Sequence, residues 1–241
     1  MTTARPRFGG LLASELHKLG TLPAVWTLLI VAVLLGAGGA WLFAEVALAQ
    51  PGGVATAEVV LRTVDYLQAA LLILGVIAIT SEYRTPVRTT LVVTPTRLRV
   101  HLAKVLALLL PAGAAAVAAI AAGFAVANLV LGERALAPDA AALGRLAAAA
   151  GYLVALAVLG FVAGTLLRHT VGAVAVVLGY FFIAAPLLRQ FGQLTWTPDV
   201  AGHALWNADP ALAPGAAALL LAGWTLGLLA VAAAAFRFRD G

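Results

Sequence analysis

Long apolar runs separated by short polar stretches set the pattern of this chain. A hydrocarbon layer of about 30 Å takes about 20 helical residues, and spans are predicted at 22–44, 104–131, 145–167, 170–189 and 212–236. A shorter run, Tyr66–Ser81, lies between Asp65 and Glu82 and is predicted as a sixth span over 64–82, its flanking charges reaching outward. Ahead of the first run, "RFGGLLASELHKLGTLP" puts Phe8, Leu11, Leu12, Leu16 and Leu19 on one helical stripe, with Arg7, His17 and Lys18 off it. That spacing predicts an amphipathic helix over 7–21 lying in the membrane interface, after which Pro23 turns the chain into the first span. Glu15 falls inside the apolar stripe. It either reaches water or pairs with an arginine of the Glu82–Lys104 stretch or of a partner, because a carboxylate at a membrane border is better off paired.

Composition agrees. The chain has 63% hydrophobic and 10% charged residues with a mean hydropathy of +1.04, whereas a soluble domain carries about 25% charged residues. A soluble fold is excluded. The fold class expected is an all-α integral membrane protein, with one transmembrane domain over residues 1–241. The absence of cysteine removes disulfides, iron–sulfur clusters and zinc–thiolate sites. The Ala-rich composition accords with a bacterial source. "MTTARPR" lacks the pattern of a cleavable signal, since the first long apolar run starts at Leu22 and is long enough to span.

The net charge of +5 reads as basic anchoring of cytoplasmic loops, with no nucleic acid called for. With the N-terminus placed in the cytoplasm, eleven Lys and Arg residues fall inside and four outside: Arg62, Arg134, Arg145 and Arg189. Both termini are then cytoplasmic. Asp65, Asp199 and five other acids fall outside.

The spans carry no Asp, Glu, Lys or Arg away from their ends. Proton-driven carriers need ionisable groups at depth, so this argues against one. Thr27, Gln68, Thr80, Asn128, Tyr152, Thr165, Tyr180 and Thr225 read as hydrogen bonders between helices. "GFVAG" (Gly160, Gly164) and "GWTLG" (Gly223, Gly227) have the spacing that lets helices approach closely. HExxH, GxSxG and the Walker A pattern are all absent, and the four histidines are dispersed. The chain is not expected to be an enzyme or to hold a metal. Energy for transport would come from a partner.

The stretch "SEYRTPVRTTLVVTPTRLRVHLAK" is the most charged in the sequence. Thr85 suits an N-cap and Pro86 the first helical position. Val87 and Leu91 share a face. Thr94-Pro95 stops that helix and opens the next, which runs through Arg97, Arg99 and Lys104 into the third span. The result is a cytoplasmic helix of about nine residues within the loop 83–103, roughly 13 Å long and too short to stand alone. It packs against the membrane surface or another protein.

Taken together, the interfacial helix, the six spans and this loop resemble a permease of the type-2 exporter family of ABC transporters. Glu82, Tyr83, Arg84, Arg88, Thr90, Leu91, Pro95, Arg97 and Lys104 match the family's loop pattern. Thr85-Pro86-Val87 stands where many relatives have Gly-Thr-Ile, and keeps a helix start. The resemblance implies that Glu82, Tyr83, Arg84, Arg88, Thr89, Thr90, Leu91 and Arg97 couple to a cytoplasmic ABC ATPase, aided by Glu15 and Lys18 of the interfacial helix. It implies a homodimer or heterodimer of permeases in a bacterial inner membrane, with the substrate route between them. ATP and Mg would be bound by the ATPase, and this chain would need no cofactor.

Over 190–211 the family implies short re-entrant helices forming an outer gate at Trp196 and Trp206. An interfacial loop anchored by the same two tryptophans is the other reading. The uncharged interior favours a hydrophobic or amphipathic substrate. A different class of function, a non-transporting membrane anchor or sensor that recruits a cytoplasmic protein, fits the same basic loop.

Overall fold

The computed structural model describes residues 8–84, 97–191, 196–207 and 212–238. Among them the elements run α1 Phe8–Thr21, α2 Pro23–Leu48, α3 Thr56–Leu61, α4 Val64–Thr80, α5 Arg97–Leu131 and α6 Ala140–Leu167. They continue with α7 Thr170–Gly179, a π-turn Tyr180–Ala184, α8 Ala185–Phe191, α9 Pro198–Trp206 and α10 Pro214–Phe238. Five helices are long and apolar enough to cross a membrane, with α7, the π-turn and α8 counting as one. The chain is a multi-pass helical membrane protein. Besides the helices, one parallel pair of two-residue strands joins Val54–Ala55 to Ala135–Leu136 at the end of the bundle away from α1.

Helix boundaries follow local chemistry. Leu22, extended because Pro23 follows it, separates α1 from α2. Asp139 caps α6 by accepting from the Ala142 N–H at 2.7 Å, so that helix begins five residues ahead of the predicted span. His169, whose Nδ1 accepts from the Gly172 N–H at 3.0 Å, caps α7 in the same way.

The 17-residue α4 is the shortest of the long apolar helices, and its surroundings explain that. Leu67, Leu71, Leu72 and Val76 are fully buried on it, so α4 is enclosed by other helices and has little lipid thickness to match. Its tightest neighbour is α6. A Cβ at Gly75 would collide with the Ala157 carbonyl, and one at Gly160 with the Leu72 carbonyl. A Cβ at Gly164 would sit 2.5 Å from Ile79 Cγ2. "GFVAG" is therefore a close helix contact. Within this chain "GWTLG" makes no such contact, since among the described residues nothing lies within 4 Å of a Cβ at Gly223 or Gly227. A second close approach joins α2 and α5, where a Cβ at Gly36 would meet the Ala119 carbonyl.

The expected hydrogen bonding between helices divides by residue type. Gln68 and Tyr152 bond across α4 and α6, and Thr56 donates to Asn128 across α3 and α5. The hydroxyls of Thr27, Thr80, Thr165 and Thr225 instead donate to carbonyls one turn back in their own helices. In an apolar medium that nearest carbonyl satisfies a hydroxyl without any neighbour.

Candidate functional site

Four charged side chains converge where α1, the end of α4 and the start of α5 meet. Lys104 Nζ donates to Glu15 Oε2 at 2.9 Å and also to Glu82 Oε1. Lys18 Nζ donates to Glu15 Oε1 at 2.9 Å and reaches Glu82 Oε1 at 3.4 Å. Glu15 and Lys104 are buried, whereas Lys18 and Glu82 are partly open. The expectation for Glu15 is corrected here: among the described residues its partners are two lysines, one of them within its own helix, and not an arginine. A lysine ammonium, with three rotatable donors, can serve carboxylates on two elements at once.

Electrostatics at this junction favour the paired state. Burial alone raises the Glu15 carboxyl, but Lys104 and Lys18 outweigh it and hold Glu15 below the ordinary glutamate range. Burial likewise lowers the Lys18 ammonium, and Glu15 with Glu82 outweighs that, raising it above the usual lysine value.

This junction flanks the loop singled out in the sequence. Glu82 lies in a short 3₁₀ turn, Ser81–Arg84, and α5 opens at Arg97, so Tyr83, Arg84 and Arg97 are placed by their backbone at the two ends of that loop. Arg88, Thr89, Thr90 and Leu91 lie outside the described residues, as does the short helix expected there.

The opposite end of the bundle holds a second polar constellation, built around α9. Trp196, just ahead of α9, lies against α10. Trp224, ten residues along α10 from Pro214, donates its Nε1–H to the Trp196 carbonyl at 2.7 Å, and the two rings stack at 6.0 Å. Tyr180 follows the ten residues of α7 and stands about 15 Å along that helix. Its hydroxyl donates to Asp199 Oδ1 at 3.2 Å. Gly202 of α9 lies so close to the Tyr152 ring that any Cβ would overlap it. Trp206 is buried against protein, while Trp196 is exposed beside α10.

The expectation that ionisable groups stay at the ends of the spans is corrected by Asp199, which is 1% exposed. It is carried by α9 rather than by a span, and Arg189 Nε stands 3.5 Å from its Oδ2. Hydropathy along the chain could not locate it, although Thr197-Pro198, a helix start followed at once by an acid, marks the place. His203 links this segment to α4. Its Nε2 is 2.9 Å from Asp65 Oδ1 and its Nδ1 is 2.9 Å from the Asp199 carbonyl oxygen. Tyr152 and Gln68 complete the chain to Asp65.

Two basic residues at this end, Arg134 and Arg145, are tied to the protein. Arg134 donates to the carbonyls of Leu48, Gln50 and Gly52, and Arg145 pairs with Glu58. Among the described residues no group of three or more His, Asp or Glu side chains is arranged to hold a metal ion. No family model and no curated protein matches this chain.

Proposed function

We propose that this chain is the transmembrane permease subunit of an ATP-driven exporter of the type-2 ABC family, moving a hydrophobic or amphipathic substrate with energy from a separate cytoplasmic ATPase. Its α4 serves as the second of six spans. The protein lies in a bacterial inner membrane as a homodimer or heterodimer, with both termini in the cytoplasm. The observation that carries the reading is Lys104, held between Glu15 of the interfacial helix and Glu82 at the end of α4. Through that one ammonium, α1 and both helices flanking the basic loop move as a unit. A push on the loop by an ATPase would therefore be passed to the helices directly.

The constellation around Asp199 favours transport over a bare anchor. A membrane anchor has no use for a carboxylate carried into a helical bundle, where ionisable groups are expensive and serve function. In this reading the segment 196–206 is re-entrant and contributes to the outer gate. Co-expression with a candidate ABC ATPase subunit, followed by purification in detergent, tests the proposal. A stable complex that hydrolyses ATP supports it. A permease that purifies alone and never stimulates the ATPase would favour the anchor or sensor.

A further inference from the structure

A cleft of about 400 Å³ opens between α6, the π-turn region and α10, within the size range of small-molecule sites. Val162, Val177, Phe181 and Trp224 line it, together with Tyr180 and Pro198. Those last two residues bring the cleft to Asp199. Tyr180 donates to Asp199 Oδ1, and Pro198 precedes it in the chain. The other oxygen, Oδ2, is buried and accepts no hydrogen bond; its cationic neighbour is Arg189, at 3.5 Å and more than a third exposed.

We infer that this cleft binds a cationic amphiphile, an apolar body carrying a protonated amine, with the ammonium donating to Asp199. A buried carboxylate with one oxygen lacking a donor gains most from a ligand that supplies both an N–H and a positive charge. The apolar walls suit a hydrocarbon or aromatic body. The rings of Tyr180, Phe181 and Trp224 add faces that attract a cation. Arg189 is the internal counter-ion that the ligand displaces. The ion pair is long and Arg189 is the more exposed partner, so exchange leaves the guanidinium solvated and the carboxylate still paired.

As a substrate site this inference rests on the transport reading, but binding itself needs neither ATPase nor nucleotide. The test uses the full chain in phosphatidylcholine nanodiscs and three photoreactive diazirine probes with the same twelve-carbon chain, ending in an amine, an alcohol or a carboxylate. Cross-links are mapped by mass spectrometry. Saturable labelling of α6, α7 and α10 by the amine, and not by the other two, is expected. Asp199→Asn is expected to lower it about tenfold, the scale of one charge-assisted hydrogen bond. Arg189→Gln is expected to raise it, since the competing cation is gone. Ala163→Phe, which narrows the cleft without touching a charge, is expected to lower it even if Asp199→Asn does not fold. Preferential labelling by the carboxylate, or amine labelling unchanged in Asp199→Asn and Ala163→Phe, would overturn the inference. Loss of ATPase binding with labelling intact would instead count against the transport reading alone.

Discussion

Lys104 Nζ lies 2.9 Å from Glu15 Oε2, joining residues 89 positions apart across the junction of α1 and α5. Both partners are buried, so the pair is shielded from salt in a way that the more exposed Lys18–Glu82 contact is not. Its value lies less in net stability than in geometry: it fixes where the interfacial helix sits against the helices that flank the basic loop.

Removing one partner leaves the other buried and short of a counter-charge. Lys104→Ala is expected to destabilise the docked state by about 3 kcal/mol. The loss should appear as faster amide exchange through α1 and a lower unfolding midpoint. The double variant Glu15→Leu with Lys104→Met, which removes the charges together, is expected to recover most of that loss. Equal loss in the single and double variants would show that the pair does not hold α1.

Docking of α1 should also depend on pH at both extremes. Glu15 is held below its ordinary value of 4.5, so its contribution is present above that value and lost as pH falls through the lower folded value. Lys18 is raised above 10.5, so its contribution is full below 10.5 and lost as pH climbs past the folded value. A fluorophore on α1 is therefore expected to report constant docking from pH 5 to 10 and release in stronger acid. Release centred near neutrality would contradict this.

The two small-residue motifs make opposite predictions. Gly160→Ala places a methyl against the Leu72 carbonyl and is expected to lower stability by about 1–3 kcal/mol as α4 and α6 are forced apart. Gly223→Ala meets nothing within 4 Å and is expected to leave the monomer's stability unchanged or slightly raised. Thermal unfolding of the two variants side by side checks both statements.

Comparison of those motifs shows what could be read in advance. "GFVAG" and "GWTLG" have one spacing, and what separates them is a partner: Gly75 and Leu72 of α4 come up to the first, and among the described residues of this chain nothing comes up to the second. Spans were legible because a hydrocarbon layer demands a long apolar run, which is a local property. Pro23 and Asp139 likewise mark helix starts through local chemistry. Glu15 stood out as an acid in an apolar stripe, but its partner depended on how α5 approaches α1. Asp199 falls between two long apolar runs, so the sequence groups it with the outer segment 190–211. Only the contacts of Trp196 with Trp224 and of Asp199 with Tyr180 reveal its depth.

The central claim is that the Glu15–Lys18–Glu82–Lys104 junction passes movement from an ATPase to the helices. The most direct measurement is ATP-driven export into inverted vesicles by the assembled transporter, using Glu15→Lys, Lys104→Glu and the two together. Each single reversal is expected to abolish export while ATP hydrolysis continues, and the paired swap to restore it substantially. Export at the parental rate in both single reversals, with each protein correctly inserted, would contradict the account.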